Sequence, residues 1–533
     1  MTVIYDDALI AGNDYRQGLP PSHCTQLLQK RTGTTVELVW SDPGNTVLAS
    51  TGKVLCTWAG TRIVRKIGEF PRTPEDGELI VDNQVLNRYA SSPLTIVEPS
   101  ADVEYFYAAF PYSDHYVFNL SKNNKFGVQE FGFVLNDADS NPDTRLSYDL
   151  DTASAGLSKA YMNYTTGKFD YGSHKNAWWL PKPCVLGCGG TASSTDDHVL
   201  YYLNPDNYAE KLDGSASNIT NTGLAGNVMV EIPQIWTKYE IDPANSRIYH
   251  IKFANKKLDD GYQAFAFYNK DGDLCPYIYR GAYDASYISN RSRCISGQAT
   301  GNTQTAQNEV TFAKANGQYW YTDDLSTRLL INNLLMYMSL SSNSQAAFGN
   351  GHYTGGQNAS SLLKAGTGDA KGYCWGSNGS GQVVKTLGIE NWWGNVWLRT
   401  AGYINSQGVQ KIKLCPYTND GSTATAYNFN GDGYIVLPSQ YNIGTNSEAY
   451  ITSMALIPPY GLFPVGTYSG GSSTTGYCDG IWSNTTQENY YSFFGGACWD
   501  GFIGGLSACL LNHATSYSNW AHGSSLTCKP KVS

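Results

Sequence analysis

Apolar and polar residues alternate over Thr34–Trp40 (TTVELVW), and the alternation stops at Ser41-Asp42-Pro43-Gly44, a turn signature. CTWAGTRIVRKIG follows, then a turn region with Pro71, Pro74, Asp76 and Gly77, then GELIV. In VEYFYAAFPYS, Val103, Tyr105, Tyr107 and Ala109 face one way, and Glu104, Phe106, Ala108 and Phe110 the other. Short strands between Gly/Pro/Asp turns predict a small β-sandwich over residues 34–120. Ahead of it, residues 1–33 carry one helical pattern, Cys24–Lys30, and are expected to form an attachment or oligomerising segment.

Beyond a Gly/Asn/Lys-rich junction at Ser121–Gly127, the pattern stays rich in strands to about residue 300. GNVMVEIPQIWTKYEI, from Gly226 to Ile241, sets Val228, Val230 and Ile232 against Met229 and Glu231, which predicts a strand with Arg247–Ala254 as its hairpin partner. Asp137, Asp139, Asn141 and Asp143 alternate as the ligands of a calcium loop do. Pro142 and Tyr148 stand where that loop needs Gly and Glu, so an exposed Asx-rich turn is expected. Asn269, Asp271 and Asp273 read as a hairpin turn.

The period then becomes helical. One helix is predicted over Ala306–Ala315, ending at Asn316-Gly317. A stronger one carries Leu325, Leu329, Leu334 and Met338 and is capped by Asp323 or Asp324, with Met336 and Met338 as core. From Ser342 the chain is loop-rich and glycines cluster in GNGHYTGGQN; long ordered loops of this kind carry binding on a rigid scaffold.

Composition narrows the function. Of 533 residues 41% are apolar and only 15% charged, and the net charge is −9 without a basic cluster. A nucleic-acid partner is therefore not expected, because phosphate binding needs a basic face. Polarity rests instead on Gly, Ser, Thr, Asn and 39 Tyr, which suits a neutral glycan or a protein. No stretch approaches about 18–20 continuous apolar residues, so membrane insertion is not expected. The N-terminus lacks a charged region followed by an apolar run, which predicts synthesis and folding in a cytoplasm. Twelve cysteines are scattered, with only Cys184 and Cys188 close together and no histidine at zinc-finger spacing. Neither metal nor cofactor is expected, and the thiols should be small buried hydrophobes.

The rest of the chain is organised around Glu488–Cys528. Glycines recur at Gly495, Gly496, Gly501, Gly504, Gly505 and Gly523, and Trp, Tyr, Phe, His, Asn and Ser lie between them. These are the residue types of antibody paratopes, rigid aromatics beside adaptable polar groups. Upstream, Trp392, Trp393 and Trp397 surround Gly394-Asn395 in GIENWWGNVWLRTAGYI.

Two helices, loops, a W-G-N-V-W strand and a Gly/aromatic hairpin resemble the C-type-lectin fold. G-I-E-N-W-W-G-N-V-W is similar to a motif shared by formylglycine-generating-enzyme-like domains and the variable proteins of diversity-generating retroelements. W-S-D-P, W-x-G-T-R-I-V-R-K and Y-F-Y-A-A-F-P-Y-S resemble the fibronectin-type-III-like module of phage tail proteins. The resemblance implies an α+β chain: a small all-β sandwich, a β-rich lead-in over 121–300, and a C-type-lectin-like domain over 301–533 with a variable region at 490–528.

It also implies a non-enzymatic tail receptor-binding protein, trimeric, attached to other phage tail proteins on the virion and acting on a host-cell surface protein or glycan. Trp393, Gly394, Asn395, Trp397, Gly495, Gly496, Gly501, Gly505, Trp520, Gly523 and Leu526 match the fixed scaffold. Ala497, Trp499, Asp500, Phe502, Ile503, Leu506, Asn512, His513, Tyr517, Asn519, Ala521, His522 and Ser524 match the solvent-facing, replaceable positions. The chain departs from the pattern at Leu398, Cys498 and Ser525.

Two other classes compete. An enzyme of the formylglycine-generating kind would use a cysteine pair, for which Cys498 and Cys509 are the candidates; a glycosidase would need two carboxylates, where Asp500 stands almost alone. A calcium-dependent lectin would carry E-P-N or Q-P-D with W-N-D, and none of these triplets occurs. His513 and His522 read as contact residues.

Overall fold

The computed structural model describes residues 19–532 except 49, 102 and 380, so residues 1–18 of the expected attachment segment lie outside it. The chain divides into two compact units, one running to Gln129 and including Ala254–Asp260, the other comprising Glu130–Phe253 and the chain from Gly261.

The first unit holds two three-stranded antiparallel sheets. One orders Thr25–Thr32, Thr35–Ser41 and Leu94–Val97; the other orders Glu78–Asn83, Trp58–Ile67 and Tyr105–Ser113. Val36, Leu38, Trp40, Ile63, Tyr107 and Phe126 pack together in its core. The W-S-D-P turn has a clear physical role: Asp42 accepts the Trp40 indole N–H at 2.9 Å and the Thr61 hydroxyl at 2.7 Å, tying the turn to the opposite sheet.

The helix predicted at Cys24–Lys30 is absent. Thr25–Thr32 is a strand, paired with Thr35–Ser41 and closed by Thr32 opposite Thr35. So short a helix is marginal in water, whereas Gly33 at φ 60° supplies the turn that folds this segment onto a partner strand.

In the second unit the predicted strand 226–241 divides into Gly226–Pro233 and Trp236–Asp242. Trp236–Asp242 neighbours Asn245–Ala254 in a four-stranded sheet, as the hairpin pattern implied. A seven-stranded sheet runs in the order Asn207–Lys211, Val199–Asn204, Lys182–Gly187, Gly226–Pro233, Tyr277–Gly281, Leu526–Cys528 and Trp320–Thr322. The C-terminal strand thus sits between strands from the middle of the chain. A larger sheet has Trp397–Ser406, Tyr490–Phe494, Cys509–Ala514 and Gly480–Ser483 as consecutive neighbours, and His522–Gly523 joins its Trp397 end in parallel.

Three α-helices occur among the described residues: α1 (Ala306–Lys314), α2 (Leu325–Ser339) and α3 (Ser344–Phe348). Asp324 caps α2 by accepting the Thr327 N–H at 3.1 Å, and every residue of α2 is buried, Met336 and Met338 included. The α+β, C-type-lectin-like class expected from the sequence is corrected here: strands make up 36% of the structure and helices 10%, spread over many sheets. The β-branched and aromatic residues between Gly/Asn turns pair wherever the chain allows, and only α1 and α2 have the apolar period and caps of longer helices.

The Asx-rich segment behaves as read at three positions: Asn136, Asp139 and Asn141 each accept the N–H two residues on, at 3.1, 2.9 and 3.0 Å. Asp137 is different. It is buried and ion-paired to Arg145 at 3.2 Å and Arg247 at 2.8 Å. All twelve cysteines are buried and unpaired, as a set of small hydrophobes would be.

Candidate functional site

The site is built on the turn between Trp392 and Trp397. Both Trp392 and Trp393 are fully buried. The Trp392 indole donates to Asn332 Oδ1 on α2 at 2.7 Å, and the guanidinium groups of Arg328 (4.0 Å) and Arg280 (5.0 Å) lie over its ring. These cations are held by the buried carboxylate of Asp323, at 2.8 Å from Arg328 and 3.5 Å from Arg280. Cation–π contacts in a desolvated site are strong enough to fix the indole rigidly.

Asn395 is the keystone of this turn. Its φ is 73°, a left-handed conformation that asparagine tolerates better than most residues. Its Nδ2 donates to Asp284 Oδ2 at 2.7 Å, its Oδ1 accepts the Leu363 N–H at 2.8 Å, its N–H donates to His352 O at 3.0 Å, and its carbonyl accepts the Cys498 N–H at 3.0 Å. One buried residue thus joins the loops around 352 and 498 through its backbone and the loop around 363 and Asp284 through its side chain.

Two loops meet above it. The Gly355 N–H donates to Cys498 O at 2.6 Å, and the Gly501 N–H donates to Tyr353 O at 3.4 Å. Gly496 (φ 92°) lets this chain pass: a Cβ there would lie 2.7 Å from Gly504 Cα. At the rim Phe502 packs on Tyr353 with ring centroids 4.9 Å apart, and Trp499 on Trp520 at 6.0 Å. Trp499 is 42% exposed and Phe502 49%.

The scaffold positions Trp393, Gly394, Asn395, Trp397, Gly495, Gly496, Gly505, Gly523 and Leu526 are buried, and Trp520 and Gly501 are half-buried. The positions expected to face solvent divide. Trp499 and Phe502 are exposed, and Asp500, Asn512, His513, Tyr517 and Asn519 are half-buried. Ala497, Ile503, Leu506, Ala521, His522 and Ser524 are buried, which corrects their assignment to a ligand-facing surface. Ala497 and Ala521 pack in a small core with Trp397 and Phe493; Leu506 joins the main core. Ser524 lies under the Tyr287 hydroxyl at 3.2 Å, and His522 is wedged edge-on against Phe493 at 4.6 Å.

Asp500 turns inward. Burial pushes its carboxyl up to about 7, while the Ala497 N–H and the Trp397 side chain donate to it. Cys498 and Cys509 have separate surroundings: Cys498 Sγ lies 3.8 Å from Gly356 O, whereas Cys509 belongs to the main core. Burial raises both thiols, that of Cys498 to about 11, so neither is a ready nucleophile. Among the described residues no group of three or more His, Cys, Asp or Glu is placed to hold a metal ion.

His513 stacks on Tyr517 with centroids 3.9 Å apart, and His522 stands edge-on to both rings at 5.2 Å. Burial, with the nearby Arg399 cation, depresses His513 to about 4; burial, His513 and Arg399 also depress His522. Both rings are therefore neutral in the fold while the unfolded chain protonates near pH 6.5. Between pH 6.5 and 4 the unfolded state binds more protons, so this pair's contribution to stability is lost as pH falls through that window. The buried carboxyls of Asp284 and Asp500, each raised to about 7, act in the opposite sense, so a comparison of variants isolates the histidines. A His513→Phe variant is expected to lose less stability than the parent between pH 6.5 and 4.5, read as urea midpoints. Equal losses would show that the histidine is not held neutral.

Tyr353, Asp284 and Arg399 belong to this site and are not singled out by the sequence pattern. Tyr353 has a visible signal, an aromatic inside the GNGHYTGGQN cluster. Asp284 and Arg399 have none, because their partners are distant in the chain. Compared with known proteins, the chain matches no family model and no curated protein sequence.

Proposed function

We propose that this chain is a receptor-binding protein of a phage tail that recognises a host-cell surface ligand through the rim around Trp499 and Phe502. The observation that carries the reading is the contrast between rim and frame. Two large aromatics are left open to solvent on glycine-bearing loops, and those loops are bonded through Asn395 to a fully buried tryptophan turn. Binding residues on loops held by a rigid scaffold are the usual arrangement for recognition. The resemblance to variable proteins of diversity-generating retroelements supports the phage-tail assignment. On this reading the replaceable positions are Trp499, Asp500, Phe502, Asn512, His513, Tyr517 and Asn519, the members of the expected set at least partly open to solvent. No helix among the described residues is long and apolar enough to cross a membrane, which is compatible with a place on the virion. A trimer would multiply a modest single-site affinity into avidity.

Fluorescently labelled protein incubated with a panel of bacterial cells and read by flow cytometry tests this. The parent is expected to stain a subset of strains, and Trp499→Ala with Phe502→Ala should abolish staining. Each substitution removes one ring–ring contact and should lower the unfolding free energy by only about 0.5–1.5 kcal/mol, leaving the protein folded. Staining that survives the double substitution would sink the assignment of the rim.

A further inference from the structure

Resting on that receptor-binding reading, we propose that the Trp499–Phe502 rim is a stacking site for an uncharged saccharide. The chain has 13 Trp and 18 Phe, and among the described residues Trp499 is the only exposed Trp and Phe502 the only exposed Phe. They lie three residues apart, and each is backed by a second ring, Trp520 and Tyr353. An aromatic face carries a negative quadrupole, which attracts the weakly positive C–H face of a pyranose ring. Backing rings hold the platforms in place before the ligand arrives, so little side-chain freedom remains to be lost on binding.

Charge decides which glycan. The segments 349–363 and 497–528 that form the rim contain no Lys, Arg or Glu and a single Asp. That residue, Asp500, is directed at the Ala497 N–H and the Trp397 side chain. Within these segments nothing would neutralise a phosphate, sialic acid or uronic acid; the exposed cation at their edge is Lys364, just past the first segment. The exposed polar groups they do contribute, Gln357 and Ser518 among them, are neutral hydrogen-bonding side chains of the kind that meet hydroxyls. Two open rings among small, neutral polar residues suit a ligand of a few sugar units, each ring facing one pyranose.

The test uses a bacterial strain that the full chain stains. Three aliquots of cells are treated with periodate, which cleaves vicinal diols, with proteinase K, or left intact and stained in 1 M NaCl. Staining is expected to fall at least about tenfold after periodate, to survive proteinase K, and to survive salt, which screens charge but not stacking. Polysaccharide released from the same strain should protect Trp499 from acrylamide quenching in the parent and leave the fluorescence of Trp499→Phe unchanged. Loss of staining after proteinase K with retention after periodate would overturn the proposal in favour of a protein receptor and leave the receptor-binding reading standing. Loss in high salt alone would replace the neutral sugar by a charged one and equally overturn it. Failure of the parent to stain any cell would instead sink the receptor-binding reading on which the proposal rests.

Discussion

Replacing Asn395 by Ala is expected to cost about 3–5 kcal/mol of unfolding free energy and to disorder the rim loops together. Three losses converge. The half-buried Leu363 N–H loses its acceptor, Asp284 loses its closest donor, and an alanine must hold φ 73°. A buried donor left unmade costs about 1–3 kcal/mol, and the left-handed backbone adds about 1–2 kcal/mol for a residue with a Cβ. Asn395→Gly separates the two effects, because glycine accepts the backbone angle but not the hydrogen bonds. It should recover about 1 kcal/mol relative to Asn395→Ala, read as urea midpoints. The distinguishing readout is local: hydrogen exchange should accelerate at 352–363 and 497–503 in both variants. A uniform acceleration across the whole second unit would mean that Asn395 is an ordinary core contact rather than the anchor of the rim.

Much of this anchoring is hidden in the sequence for a physical reason. α2 is legible because its apolar period, its Asp324 cap and its length all agree. The buried tryptophan turn is legible too, since three indoles around Gly-Asn are costly unless packed. The strand Thr25–Thr32 is misread as a helix because its partner is supplied by the residues after Gly33, and pairing outweighs local preference. The overall balance of strand to helix fails similarly, because sheet pairing joins segments hundreds of residues apart, such as Tyr277–Gly281 with Leu526–Cys528.

At the rim, residue type alone separates part of the buried set: Ala497, Ile503, Leu506 and Ala521 are small or apolar residues of the kind cores collect. His522 and Ser524 could not be assigned to the interior this way. Their burial depends on Phe493 and Tyr287, which only the folded chain brings to them.

The second large effect is expected at Arg399. This guanidinium is buried, donates to Glu309 Oε2 at 2.7 Å, and ties the carbonyls of Gln304 (3.1 Å) and Tyr517 (2.9 Å) to the strand that carries Trp397. It also covers the Phe493 ring at 4.4 Å, so it supports α1, the central sheet and the segment leading to Trp520 at once.

Arg399→Ala is expected to cost about 3–5 kcal/mol, because it strands the fully buried Glu309 with only the Tyr287 hydroxyl at 3.1 Å. Burial already raises Glu309 in the parent, and without its cation the carboxyl should take up a proton in the fold. The sign follows from linkage. A carboxyl held protonated in the fold ionises on unfolding, so the variant's deficit grows as pH rises above the ordinary glutamate range and shrinks in acid. The double variant Arg399→Met with Glu309→Gln removes both charges and should recover most of the loss. Urea midpoints of the three proteins at pH 5 and pH 8 decide the matter. If Arg399→Ala is no weaker at pH 8 than at pH 5 and the double variant recovers nothing, then Arg399 contributes through packing on Phe493 and not through its charge.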